Sequence, residues 1–219
     1  MSRRFESHLF WGSHSPLSAL TGSFLILLAS SRFAFAIVCA AALIWVYGLT
    51  ALVFSVSRQI MPSRGRMVIL LFLSTFFCAF FILVISFINP LLILGTVFFL
   101  LLIPPCCLGS GFFEAIGSAD PIEVTSRALL EAIILSLIII AFALIREPLG
   151  MGTLSIPGGI QGILELFSVR DPEAFVPLRI LSVSAGGLLL LGYVTALYRY
   201  LREQSGGIPR DESITEGKQ

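Results

Sequence analysis

Pro90-Leu91-Leu92-Ile93-Leu94-Gly95-Thr96-Val97-Phe98-Phe99-Leu100-Leu101-Leu102-Ile103 is an apolar run that stops at Pro104-Pro105-Cys106-Cys107-Leu108-Gly109. It holds no charged residue. Backbone amides inside lipid must bond within their own segment, so such a run is read as a helix. At 1.5 Å per residue its roughly 14 residues reach only ~21 Å, short of the ~30 Å hydrocarbon core of a bilayer. A segment this apolar and this short is a half-helix followed by unwound chain, or a re-entrant element.

The remainder of the chain supports a membrane setting. Of its 219 residues 57% are hydrophobic and 12% charged, the latter about half the share found in soluble domains. Mean hydropathy is +0.98. Too little polar surface is present to cover a soluble core. The composition also excludes a disordered chain, and a net charge of +1 excludes a nucleic-acid binder, which needs a basic field for phosphates. What fits is an all-α integral membrane protein with about six spans in the bilayer.

Five further apolar segments flank the first. Pro16 to Ala29 is also short and is followed by Ser30-Ser31. Phe33 to Val56, Met67 to Ile88, Ala128 to Ile145 and Pro177 to Leu197 are long, the last containing Gly186-Gly187. The order is short, long, long, then short, long, long. Paired short segments in corresponding positions are the hydropathy signature of inverted repeats, and they point to a site near the midplane. The expected domain is a single polytopic unit over 1–202, with inverted halves at about 14–88 and 90–198, and a flexible cytoplasmic tail at 203–219. The alternative is two ordinary helices with ragged ends.

Lys and Arg in the loops set the orientation. With six crossings and a cytoplasmic N-terminus, the inside holds Arg3, Arg4, Arg58, Arg64, Arg66, Arg127, Arg199, Arg202, Arg210 and Lys218. The outside holds Arg32, Arg146, Arg170 and Arg179. Ten against four places both termini in the cytoplasm. Arg3-Arg4 lies too far from the apolar run, and from Ala34-Phe35-Ala36, to make a cleaved signal. The connection from Arg146 to Phe175 carries Ile160, Ile163, Leu164 and Phe167 at helical spacing, which predicts a short interfacial helix or a packed surface helix.

Chemistry-bearing residues are few. His8 and His14 precede the first span with no nucleophile pattern nearby, and neither a P-loop nor a G-x-G-x-x-G signature is present. Gly150, Gly152, Gly158 and Gly159 read as turn markers. Glu131 falls at the expected start of the fifth span, where it suits a helix N-terminus or the membrane interface; an acid deeper in the membrane would be functional by default. Cys39 and Cys78 lie on long segments and read as packing residues. Cys106 and Cys107 sit where the second short segment ends. Thiolates are soft ligands suited to iron–sulfur centres, which usually take four. Adjacent helical residues point ~100° apart, so one of the two would serve, Cys106 before Cys107, and a partner chain would supply the rest.

Several motifs together resemble the Rnf/Nqr integral-membrane subunit family, nearly end to end. Trp11-Gly12-Ser13-His14-Ser15-Pro16-Leu17 resembles the family's approach to its first helix. Ser57-Arg58-Gln59-Ile60-Met61-Pro62, continued to Arg66, resembles its basic loop. Ile103 through Gly109 resembles its fourth-helix segment. Ile145-Arg146-Glu147-Pro148-Leu149-Gly150-Met151-Gly152-Thr153-Leu154 is the most specific and points to the RnfE/NqrD side. The resemblance implies six helices in two inverted halves with broken first and fourth helices. It implies a bacterial inner-membrane location and a paralogous membrane subunit of opposite topology. It also implies flavin- and iron–sulfur-carrying subunits, electron flow between ferredoxin or NADH and an acceptor coupled to Na⁺ or H⁺, and a 2Fe-2S cluster shared between the paralogues. Here the first-helix region reads Gly22-Ser23-Phe24-Leu25-Ile26, without the family's Cys. The ligand position of the fourth helix falls on Pro105, reaching Cys106 only with a one-residue gap, and Ser110 replaces an Arg. The chain therefore reads as a divergent member. The competing expectations are a structural Rnf-like subunit that has lost the cluster and a six-helix solute-binding component of an importer. In the importer, Ala36 to Ala40 would be a helix-docking face.

Overall fold

A computed structural model describes residues 16–57, 65–109, 121–158, 162–168 and 179–204. The helices are α1 (Pro16–Ala29), α2 (Phe33–Ser57), α3 (Arg66–Ile88), α4 (Pro90–Leu100), α5 (Ile103–Gly109), α6 (Pro121–Met151) and α7 (Ser184–Gln204), with a hairpin of β1 (Thr153–Pro157) and β2 (Ile163–Ser168) after α6 and a 3-10 turn, Arg179–Ser182, before α7. Four stretches are long and apolar enough to cross a membrane: Phe33–Ser57, Arg66–Ile88, Pro90–Cys107 and Val124–Met151. The protein is thus mostly helical, and a multi-pass membrane protein is plausible. Large apolar side chains such as Phe72, Phe87, Leu94 and Leu189 are exposed on its outside. In water that surface would be a liability; against acyl chains it is ordinary.

Its centre is the pair α2 and α6, packed along their length. They run antiparallel. Phe33 at the start of α2 meets Glu147 near the end of α6, Ala40 meets Ser136, and Gly48 meets Leu129. Small residues let the helices close: Ala36, Ala40, Ala132 and Ala143 are all buried. The Ala36–Ala40 face therefore packs within this chain. α3 packs on α2 and α5, and α1 packs on α5 and α6.

The boundary between α4 and α5 follows from the proline pair. Proline has no N–H, so Pro104 cannot donate to the Leu100 carbonyl, nor Pro105 to that of Leu101. The helix ends at Leu100, a turn occupies Leu101-Leu102, and both prolines sit in the first turn of α5, where the missing donors cost little. The Cys78 thiol on α3 donates to the abandoned Leu100 carbonyl at 3.1 Å. Cys78 is thus more than a packing residue; it repairs the break. Asn89, Pro90 and the Leu92 N–H bound to Asn89 Oδ1 form an N-cap with Pro at N1 at the other end of α4.

Four sequence expectations are corrected here. The fourth segment breaks before the prolines and continues as α5, so Pro90–Cys107 totals 18 residues. The sixth segment is the shorter one: residues 179–182 wind as a 3-10 turn, and the apolar helix is only Ser184–Leu197. The fifth extends well beyond Ala128 to Ile145, so Glu131 lies about three turns inside α6 rather than in its first turn. The connection after α6 is a hairpin rather than a helix. Thr153 pairs with Ser168 and Pro157 with Ile163, and Ile163-Leu164-Glu165-Leu166-Phe167 fits the period-two pattern as well as the helical one. Ile160, the basic loop at 58–64, the region before Pro16 and the tail from 205 lie outside the described residues.

Candidate functional site

Among the described residues, two clusters of polar side chains stand out in the apolar interior. One lies at the end of α6. Arg146 and Glu147 are 3% and 1% exposed. Burying either charge is expensive unless hydrogen bonds replace water. Arg146 Nη1 donates to Leu27 O at 2.6 Å and to Ser30 Oγ at 3.1 Å, Nε donates to Leu181 O at 2.9 Å, and Nη2 reaches Ser182 O and Val183 O at 3.5 and 3.4 Å. Three of these acceptors are carbonyls of the chain leading into α7; Leu27 O is one of the last carbonyls of α1. A cation there complements both the orphan acceptors and the negative end of the helix dipole. Glu147 does the converse. Its Oε2 accepts from the Phe33 N–H at 2.6 Å, at the positive end of α2, while Oε1 accepts from Thr153 Oγ1 at 3.4 Å. Ser155 Oγ accepts from Ala34 N–H at 3.4 Å, adding the hairpin to the same joint.

The glycines around this joint are close-approach residues. A Cβ on Gly150 would sit 2.8 Å from Ser182 N, one on Gly186 would overlap Ile180 O, and one on Gly187 would press on Arg146 Cζ at 3.0 Å. Gly150 is helical rather than a turn marker, whereas Gly152 (φ 67°) and Gly158 (φ 156°) take backbone conformations that favour glycine. Gly159 lies outside the described residues. The Arg146-to-Leu154 stretch thus folds as one unit that clamps the α1–α2 turn and the start of α7.

The second locus surrounds α5. Cys106 and Cys107 are 1% and 0% exposed and belong to the same core cluster as Cys39, Cys78 and Tyr47. Cys39 on α2 is within electrostatic range of Cys106 and Cys78, and Tyr47 of Cys106, Cys107 and Glu131. Four helices therefore converge here: α2, α3, α5 and α6. None of the four cysteines forms a disulfide. The Tyr47 hydroxyl has the Cys106 thiol beside it but makes no well-aligned hydrogen bond, and Thr50 Oγ1, one turn further along α2, is also buried without one.

A 2Fe-2S cluster shared between two chains needs thiols on a subunit face, with room for the partner's ligands. Cys106 and Cys107 are instead covered by this chain's own helices. Among the described residues no group of three or more His, Cys, Asp or Glu is placed to hold a metal ion. As arranged, these residues do not fit that cluster.

Sequence reasoning found Cys106, Cys107 and Glu131 but placed Glu131 at a helix end. It treated Arg146 as a loop charge and singled out the Arg146-Glu147 motif by resemblance alone. The missed signal was adjacent: two charges following an unbroken apolar run, then Pro148 and Gly150, mark a helix end that is still buried. Tyr47 and Thr50 left no sequence signal beyond their i, i+3 spacing. No family model matches the chain, and no curated protein matches it.

Proposed function

We propose that this chain is a membrane subunit of an ion-translocating electron-transport complex of the Rnf type, linked to ferredoxin and NAD, that sits beside a paralogous membrane subunit of opposite topology. Its role is to scaffold the membrane path between flavin- and iron–sulfur-carrying subunits, with no redox group of its own. One observation carries this reading: α1 and the proline-interrupted α4–α5 pack on each other beside the antiparallel pair α2 and α6. An inversion relating α1–α3 to α4–α7 would pair those same elements, α1 with α4–α5 and α2 with α6. The motif residues from Ile145 to Leu154, which fold as one clamp, support the family likeness. The arginines at 58, 64 and 66 support a bacterial inner-membrane setting with both termini cytoplasmic.

The test is purification of the tagged chain from native membranes. Flavin- and iron–sulfur-carrying subunits should accompany it, together with a paralogous membrane protein. Recovery with ATPase subunits instead would assign it to an importer and refute the proposal. Replacing Cys106 and Cys107 together by Ala should leave the iron content of the recovered complex unchanged.

A further inference from the structure

We propose that the β1–β2 hairpin and the turn between α3 and α4 form one lipid-facing patch, with the strands in the headgroup zone of the bilayer and the turn at the upper acyl chains. The two pieces touch. A Cβ on Gly162 would sit 2.9 Å from Leu92 N and 3.2 Å from Asn89 Oδ1, so the hairpin is seated on the first turn of α4. On β1, Ser155 Oγ accepts from the Ala34 N–H of α2, and Thr153 Oγ1 donates to Glu147 of α6. The hairpin therefore lies across the ends of three helices, α2, α4 and α6, and closes over the buried Glu147 carboxylate.

The outward side chains of this end are apolar. Phe87 and Ile88 are 83% and 75% exposed, and Leu91, Leu164 and Leu166 are exposed as well. Turns that enter water ordinarily carry polar residues. Here no charge occurs from Met67 to Gly109, and Asn89 at the turn uses its side chain on the Leu92 N–H. Length fixes the depth. The 23 residues of α3 rise roughly 34 Å. With Arg66 at one interface, Asn89 passes the ~30 Å hydrocarbon core yet stays within the ~40–45 Å of the whole bilayer. Two features hold the strands at the hydrated level beyond the turn. Among the described residues the sheet has two strands, so the outer edge of β2 offers backbone groups that water must satisfy. Glu165 on that strand is an exposed carboxylate, which the hydrocarbon core would penalise. The patch runs on into Phe72 and Leu94, exposed on α3 and α4, where acyl chains are the natural cover. A partner strand paired to β2 would leave Phe87 and Ile88 bare. The placement rests on these residues alone and holds whichever complex the chain serves.

The experiment is a spin-label depth measurement on the full chain, in nanodiscs cut from native membranes by an amphipathic polymer so that companion subunits stay bound. Phe87→Cys, Leu164→Cys, Leu166→Cys and, as the deep reference, Leu94→Cys are each labelled with a nitroxide. The native thiols Cys39, Cys78, Cys106 and Cys107 are buried, and the wild type treated alike is the blank. Relaxation by O₂, which concentrates in lipid, is compared with relaxation by a water-soluble nickel chelate. The ratio of O₂ to chelate effect should fall from Leu94 to Phe87 and again to Leu164 and Leu166. Both strand labels should still exceed the ratio of a labelled peptide free in water. Strand labels equal to that peptide would put the hairpin in the aqueous phase. Labels at Phe87 or Leu166 that neither reagent reaches would put a protein partner on the patch. Either result overturns the proposal.

Discussion

The two polar loci of this core are opposites. Around Arg146 and Glu147 the charges are answered: carbonyls at the ends of α1 and before α7 accept from the guanidinium, and the first N–H of α2 donates to the carboxylate. Around Cys106 and Tyr47 the contacts are looser: the buried Thr50 hydroxyl meets no hydrogen-bond partner, and the Tyr47 hydroxyl has only the Cys106 thiol beside it. Both sit among apolar side chains in helices of similar composition. The difference teaches that buried polar groups fix architecture where every charge is met by a partner, and contribute little to it where they are not.

The largest effect should come from opening the closed locus. Arg146→Met leaves the Leu27, Leu181 and Ser30 acceptors without their cation. It should cost about 3–5 kcal/mol, the loss expected on breaking a buried charge network. Thermal unfolding in detergent would show this as a strong drop in midpoint, and Arg146→Lys should rescue only part of it, because a single ammonium cannot span the guanidinium fork. A variant as stable as the wild type would mean the joint is ornamental. Gly186→Ala comes next, since its methyl would overlap Ile180 O where α7 turns on the 3-10 segment. The expected cost is about 1–3 kcal/mol in the same assay.

Smaller effects belong to the repaired break and the open locus. Cys78→Ala removes the donor to Leu100 O and should cost about 1 kcal/mol, whereas Cys78→Ser should recover most of it. Thr50→Val should change stability by less than ~1 kcal/mol, because no protein hydrogen bond is lost. A Thr50→Val penalty as large as that of Arg146→Met would erase the distinction between the loci.

How much of this was legible beforehand differs by element. Apolar length alone placed α1, α2 and α3, the first beginning at Pro16 and ending at Ala29 as expected. The Pro104-Pro105 pair announced a break, but its position follows from which carbonyls lose their donors, and those lie four residues earlier. The strand at Ile163 was misread because its apolar residues satisfy both periods; Gly158 and Gly162, at positive φ, were the better guide to a hairpin. The thiols at Cys106 and Cys107 stood out by chemistry, yet their burial depends on α2 and α3 packing over α5, a tertiary fact that no local pattern encodes. Glu131 was assigned to a helix end because its helix was expected to begin near Ala128 rather than Pro121.

Recovery of the tagged chain from native membranes, followed by identification of its companions by mass spectrometry, tests the central claim most directly. The account predicts a paralogous six-segment membrane protein together with flavin- and iron–sulfur-carrying subunits. Recovery with nucleotide-hydrolysing subunits, or as an isolated chain from intact complexes, would contradict it.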